Sequence, residues 1–416
     1  MMTQTIAQMA KDAREAGRVL GTLPGAVRAA AIRAMGAALA AKKAEILAAN
    51  AADVADAETA GLSGPLVQRL KLSERTFTYM ADRLAEVAEL PDPLGVVTRG
   101  HVRPTGLHVQ RVSVPLGVIG IIYESRPNVT TDAAGACMKS GNAVILRGGS
   151  EALRTNVLIA EAMAAAAASA GAPEKAVQIV RTPDRAAVGE LLRQDDYIDV
   201  IIPRGGKSLI QRIAAESRIP VIKHYDGICH QYVATDADVE MAAAVVVNSK
   251  CEKVEVCNAL ETLLVDAAAA DRALPGIADA LRAQGVELRG CPRARAVVEM
   301  LAATEEDWST EYLAPILSIK VVDGIDEAIA HITAYGSAHT DGIITGSLAL
   351  ADRFVAGVDS ASVMVNASTR LSGGGDYGQG AVVGISTDRL HARGPVGPEE
   401  LTTYKWVAYG AGHLRK

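Results

Sequence analysis

Four aliphatic runs of strand length, Val118 to Tyr123, Ala143 to Leu146, Val177 to Val180 and Ile198 to Ile202, alternate with helical segments near Asp132 to Ser140, Glu151 to Ser169 and Arg185 to Leu192. A strand covered on one face alternates apolar and polar residues, whereas these runs are continuously apolar, so both faces need cover. Connections long enough to hold a helix make the strands parallel. The pattern predicts an α/β fold with a doubly wound sheet of the nucleotide-binding kind, whose ligands lie beyond the carboxyl ends of the strands. Two turns fall at that edge, Arg147-Gly148-Gly149-Ser150-Glu151 and Pro203-Arg204-Gly205-Gly206-Lys207-Ser208. Their glycines let backbone approach a phosphate, a helix start offers unpaired N–H groups, and arginine adds a fork of donors.

Upstream, Thr5 to Leu90 reads as helical, with Ile32, Met35, Leu39 and Ile46 at helical spacings. Pro91, Pro93, Gly95 and Gly100 end that pattern, and Val96 to Val114 alternates around Pro104, Thr105 and Gly106 as a β-hairpin does. The hairpin is a candidate for subunit contact, and folding back on its own domain is the open alternative. A net charge of −6 argues against nucleic acid as a partner. No secretory h-region follows the start, and the apolar run Ala162 to Ala170 is too short to span a bilayer, so no membrane is expected. Five cysteines, an odd number scattered widely, fit a reducing cytoplasm. His224, Cys229, His230, Cys251 and Cys257 cluster loosely, but no C-x-x-C or H-E-x-x-H spacing is present, so no metal is expected.

Cys257 stands at the start of the apolar segment VCNALETLLV, Val256 to Val265. Read as the N-terminus of a helix, the segment would lower the thiol pKa through the macrodipole and make Cys257 a nucleophile; packing as a small hydrophobe is the alternative. Gly373, Gly375 and Gly378 satisfy G-x-G-x-x-G formally, without the preceding strand and following helix that give the motif its mechanism. The stretch reads as a loop near a site.

Seven segments in order, VPLGVIGIIYESRPNVT, VILRGGSEA, VIIPRGGKSLI, IKHYDGICH, VCNALETLLV, EYLAPILSIK and GISTDRLHARGPVGPEELTTYKW, resemble those of the gamma-glutamyl phosphate reductases, or glutamate-5-semialdehyde dehydrogenases, of the aldehyde dehydrogenase superfamily. The resemblance implies an aldehyde dehydrogenase-like fold, with a doubly wound NADPH-binding domain over residues 1–95 and 115–230 and an α/β catalytic domain over 231–388. A small oligomerisation element, hairpin 96–114 with tail 389–416, completes it and implies a homo-oligomer. The implied activity is NADPH-dependent reduction of L-glutamate 5-phosphate to the semialdehyde in proline biosynthesis, with glutamate 5-kinase as pathway neighbour.

Cys257 carries over as nucleophile, with its own N–H and Arg126 or Asn128 for the oxyanion. His224 stands where hydrolytic relatives place a water-activating glutamate. With Asp226, Ser368 and Arg370 it makes the implied substrate set. Arg147 and Ser150, with Gly148, Glu151, Pro203, Arg204, Gly205 and Gly206, fall to the cofactor, Arg147 as reader of a 2′-phosphate and Glu311 as holder of the nicotinamide ribose. One departure stands out: a glutamine-arginine pair is usual before the nucleophile, whereas this chain has Cys251-Glu252-Lys253-Val254-Glu255. The added carboxylates oppose an anionic substrate and a thiolate. Action on another acyl phosphate or small aldehyde, and a non-catalytic nucleotide-binding role, are the alternatives.

Overall fold

The computed structural model describes residues 5–415. Residues 1–4 of the expected cofactor domain and residue 416 of the expected tail lie outside the described residues. Contacts divide the chain into two units, one formed by the chain up to Lys223 with Gly378–Ile385 and the segment from Pro395 onward, the other by His224–Tyr377 with Ser386–Gly394. The division falls at 223/224, with the hairpin and the segment from Pro395 in the first unit.

In the first unit, β1 (Val97–Val102) and β2 (His108–Pro115) form the predicted hairpin. Strands β3 (Val118–Tyr123), β4 (Ala143–Arg147), β5 (Val177–Ile179) and β6 (Val200–Arg204) form a parallel sheet in the order β5-β4-β3-β6. The aliphatic runs are buried throughout, because helices such as Ile6–Leu20 close over them: Ile6, Met9, Ala10 and Ala13 join one core with Val118, Ile145, Ile198 and Ile201. Helix Gly25–Ala41 buries Ile32, Met35 and Leu39, the stripe read from the sequence. Register brings the carboxyl ends level, Ile122 lying beside both Arg147 and Pro203, and Tyr123 beside Arg204. The hairpin does not stand alone, since the C-terminal strand Thr402–Tyr409 pairs antiparallel along β2.

The second unit holds β7 (Cys229–Val233), β8 (Leu260–Asp266), β9 (Glu287–Gly290), β10 (Leu301–Ala302), β11 (Ile316–Val322), β12 (Thr340–Ile344) and β13 (Ser362–Val365). They form one parallel sheet in the order β10-β9-β11-β8-β7-β12-β13. Here one reading is corrected: the apolar segment after Cys257 is not a helix but the central strand β8, buried at all seven positions. A short apolar run fits a buried strand or a buried helix equally by periodicity, and pairing with β7 and β11 decides it. Among the described residues no helix is long and apolar enough to cross a membrane.

Candidate active site

In the first unit the predicted turns lie at the carboxyl edge of the sheet. Arg147 ends β4, and its guanidinium is held by three carbonyls: Nη1 donates to Gly148 O at 2.9 Å, and Nη2 to Pro183 O at 3.2 Å and Asp184 O at 3.4 Å. Nε is buried with no partner among the described residues, and with both Nη groups bonded to carbonyls the fork expected to read a 2′-phosphate is largely engaged in holding its own loop. Ser150 and Glu151 open a short 3₁₀ turn before helix Leu153–Ser169. Glu151 Oε1 accepts from Ser125 N at 2.8 Å and Oγ at 2.6 Å, fixing the turn that carries Arg126 and Asn128.

Asn128 begins helix Asn128–Lys139 and donates from Nδ2 to Asp132 Oδ2 at 3.1 Å, which leaves one amide hydrogen for another acceptor. Burial pushes the Asp132 carboxyl up to about 6 against the pull of Asn128 and Arg204. Pro203 and Arg204 end β6, and Gly205-Gly206 lead into helix Lys207–Glu216, whose N-terminus has no side-chain cap. Gly206 N donates to Glu124 Oε2 at 3.0 Å, and a β-carbon at Gly206 would meet nothing.

In the second unit the candidates gather at the amino ends of the strands. His224 precedes β7, Cys257 precedes β8 and His339 immediately precedes β12, three neighbouring strands. The Cys257 Sγ and one ring nitrogen of each histidine lie within 4.8 Å of one another, and the two rings meet edge to face at 5.3 Å. Burial alone would raise the Cys257 thiol, but the neighbouring charges of His339 and then His224 hold it well below the usual thiol range. The activation expected of a helix dipole is thus supplied by two imidazoles.

Hydrogen bonds fix the tautomer of the fully buried His339. Ser372 Oγ donates to Thr369 O at 2.9 Å, so it accepts from Thr340 Oγ1 at 2.9 Å. Thr340 Oγ1, its hydrogen so placed, accepts from His339 Nδ1 at 2.9 Å, which leaves neutral His339 with its lone pair on Nε2. That nitrogen is buried with no hydrogen-bond partner among the described residues.

The surrounding loops are held by polar ties. Glu311 Oε1 accepts from Gly227 N at 2.9 Å, and Ile228 N donates to Ser337 Oγ at 2.8 Å, which joins the loop carrying His224 and Asp226 to the loop carrying His339. A β-carbon at Gly227 would overlap the carbonyl of Cys257, so only glycine allows this approach. The ladder between β7 and β8 slips at Glu261, and its carboxylate pairs with buried Lys250 at 2.5 Å while accepting from Leu313 N at 3.2 Å. Burial raises Glu261 to about 7 against the attraction of Lys250. Leu313 has φ of 51°, a left-handed conformation strained for leucine, close behind Glu311.

Ser368 is buried, bonded to Ser249 Oγ at 3.1 Å, and caps the turn Thr369–Leu371, a structural anchor more than an open ligand group. Arg370 Nε binds Glu252 Oε2 at 2.8 Å, and its Nη1 binds Asn258, the neighbour of Cys257. The unusual loop therefore uses Glu252 to hold Arg370. Glu255 is exposed to solvent.

His339 escaped the sequence reading because a single histidine ahead of an apolar run has no spacing to mark it. The G-x-G-x-x-G stretch lies in turns, as expected, with Tyr377 N bonded to Gly373 O.

The aldehyde dehydrogenase family profile matches residues 2–289. The structure superposes with TM-score 0.96 on gamma-glutamyl phosphate reductase from Thermotoga maritima, 43% identical over 99% of this chain and 100% of that one. The gamma-glutamyl phosphate reductase from Saccharomyces cerevisiae is 31% identical over 100% of this chain and 99% of that one, with TM-score 0.56. An acetylating aldehyde dehydrogenase from Geobacillus thermoglucosidasius, 18% identical over 99% and 97% of the two chains, shares the fold with TM-score 0.70. The chain belongs to the aldehyde dehydrogenase family and, within it, to the gamma-glutamyl phosphate reductases.

Proposed function

We propose that this protein reduces L-glutamate 5-phosphate to L-glutamate 5-semialdehyde with release of phosphate, as a step of proline biosynthesis, using NADPH. The observation that carries the reading is Cys257 set between His224 and His339, a thiolate site with no carboxylate among its three groups. A nucleophile for an acyl phosphate has to exclude water as competitor, and a histidine at the position of the water-activating glutamate suits phosphate release over hydrolysis.

The donor set of the first unit fits a phosphate-bearing cofactor. The helix start at Lys207 has no side-chain cap, Arg204 and Lys207 bring positive charge beside the Glu124 carboxylate that takes Gly206 N, and the space beside Gly206 is open. Gly205, Gly206, Arg204 and Pro203 form one turn of that cradle and Gly148, Ser150 and Glu151 the other, with Arg147 and Glu151 bracing it from behind. By resemblance Glu311 would hold the nicotinamide ribose.

In the reaction His339 Nε2 takes the thiol proton, and Cys257 Sγ attacks the acyl carbon. The carbon–oxygen bond to phosphate breaks, phosphate leaves with its electron pair, and a thioester remains on Cys257. NADPH, when bound, supplies the hydride that reduces this thioester. The Cys257 N–H and, by resemblance, Asn128 or Arg126 hold the oxyanion. Collapse breaks the carbon–sulfur bond and returns the thiolate, with Arg370 near the substrate carboxylate or phosphate.

Oxidation of glutamate 5-semialdehyde with NADP and phosphate tests the reading. Cys257→Ala is expected to lower kcat/KM at least about a thousandfold while folding is unchanged, and residual activity above that level refutes the nucleophile. Tyr404 and Trp406 are exposed on one face of the sheet of the hairpin and Val97, Val102 and Tyr409 on the other, and the face bearing Tyr404 and Trp406 suits a second copy of the chain. Trp406→Glu is expected to lower the oligomeric mass in sedimentation, and an unchanged mass removes this face from assembly.

A further inference from the structure

The three groups at the amino edge of the catalytic sheet are also the ligand set of a borderline-soft cation. We propose that Cys257, His224 and His339 bind one zinc ion, and that zinc held there keeps the enzyme reversibly inhibited. Binding stands on the geometry alone, and inhibition rests on the reading of Cys257 as nucleophile.

A tetrahedral zinc with bonds of about 2.0 to 2.3 Å keeps its ligand atoms about 3.5 Å apart. The Sγ and two ring nitrogens already lie within 4.8 Å of one another, so rotation of side chains by roughly an ångström closes the set. His339 is prepared as a ligand would be. Its Nδ1–H is held by Thr340 Oγ1, and Thr340 by Ser372, which aims the lone pair of Nε2 and leaves that buried nitrogen without another partner. Such an outer hydrogen bond is the usual support of a zinc-bound histidine.

The donor chemistry selects the ion. One thiolate and two imidazoles suit zinc and disfavour magnesium or calcium, which require oxygen ligands. Three protein ligands with a fourth position left over describe an accessible zinc site. Zinc on Cys257 Sγ and His339 Nε2 removes the nucleophile and its base together. This departs from the expectation of no metal, which rested on sequence spacing. The ligands come from three separate loops ahead of β7, β8 and β12, and no spacing could reveal them.

The test is a zinc titration of the purified full-length protein against a chromophoric chelator, with a parallel cobalt titration read by absorption. We expect one zinc per chain and a thiolate-to-cobalt charge-transfer band. Cys257→Ser should abolish the band, and His339→Asn and His224→Asn should each weaken zinc about tenfold or more, with folding checked by circular dichroism. Affinity unchanged in Cys257→Ser and in both histidine variants, or no stoichiometric zinc in the parent, overturns the site. Inhibition by zinc and recovery with chelator is read in the same protein. If zinc binds through Cys257 and turnover continues, the nucleophile reading falls while the site stands. If zinc does not bind and Cys257→Ala is inactive, the site falls and the function stands.

Discussion

The chain contains two parallel sheets that present candidate chemistry at opposite ends. In the four-stranded sheet the turns after β3, β4 and β6 lie at the carboxyl edge, where the following helices begin. In the seven-stranded sheet His224, Cys257, Glu311 and His339 lie ahead of their strands, at the edge where helices end. Helix starts offer unpaired N–H groups and a positive dipole end, which suits anions. Helix ends carry unpaired carbonyls and a negative dipole end, which suits cations and opposes a thiolate. Helix Val239–Cys251 ends just before the Cys257 turn and helix Ile325–Tyr335 just before His339. The backbone of the amino edge therefore does not help a thiolate, and it is the neighbouring His339 and His224 that depress the thiol.

The largest test of this contrast is the buried pair beneath the thiol loops. Lys250→Ala leaves Glu261 buried and alone, and is expected to destabilise the protein by about 3 to 5 kcal/mol in denaturant titration, whereas Lys250→Met with Glu261→Leu recovers most of the loss. A loss below about 1 kcal/mol for the single variant shows that the pair does not support the amino edge.

Next come two glycines, one at each edge. Gly227→Ala pushes a β-carbon into the carbonyl of Cys257 and is expected to lower kcat/KM about a hundredfold. Gly206→Ala faces open space, so stability should hold within about 0.5 kcal/mol, and the change should fall on KM for the cofactor. Equal effects of the two on turnover would erase the distinction between a packed catalytic edge and an open binding edge.

The thiol itself gives a pH test. Because the Cys257 pKa is depressed, its alkylation rate should stay level as pH falls through the usual thiol range, and drop only well below that range. His339→Asn should move the drop upward by at least about one pH unit, the equivalent of roughly 1.4 kcal/mol. An unmoved profile assigns the activation to something other than His339.

At the carboxyl edge, Arg147→Ala is expected to weaken NADPH and NADH alike, within about threefold of each other, because its guanidinium holds backbone carbonyls. A loss confined to NADPH, measured by fluorescence titration, returns the 2′-phosphate to Arg147.

The smallest effect concerns Glu252, whose pair with Arg370 is partly exposed. Glu252→Gln releases Arg370 and should lower KM for phosphate in the reverse reaction by less than about fivefold, as an exposed pair is worth about a kcal/mol or less. A rise in KM instead means that Glu252 aims Arg370 at the substrate.

The sequence by itself determined the cofactor sheet. Val118 to Tyr123 is β3 residue for residue, Ala143, Val177 and Ile202 lie within β4 to β6 and their immediate flanks, and the glycine turns fall at the predicted edge. That follows because strand burial on both faces and short αβ connections are written locally, in consecutive residues. The hairpin was legible for the same reason, but its partner was not, since Thr402–Tyr409 pairs with β2 from the far end of the chain. Only tertiary structure made VCNALETLLV a strand, by supplying β7 and β11 on either side. It alone brought His339 to Cys257, set Arg370 against Glu252 and engaged Arg147 with carbonyls. Each of these depends on which distant loops share an edge of a sheet, and strand order, unlike strand identity, is not a local property of the sequence.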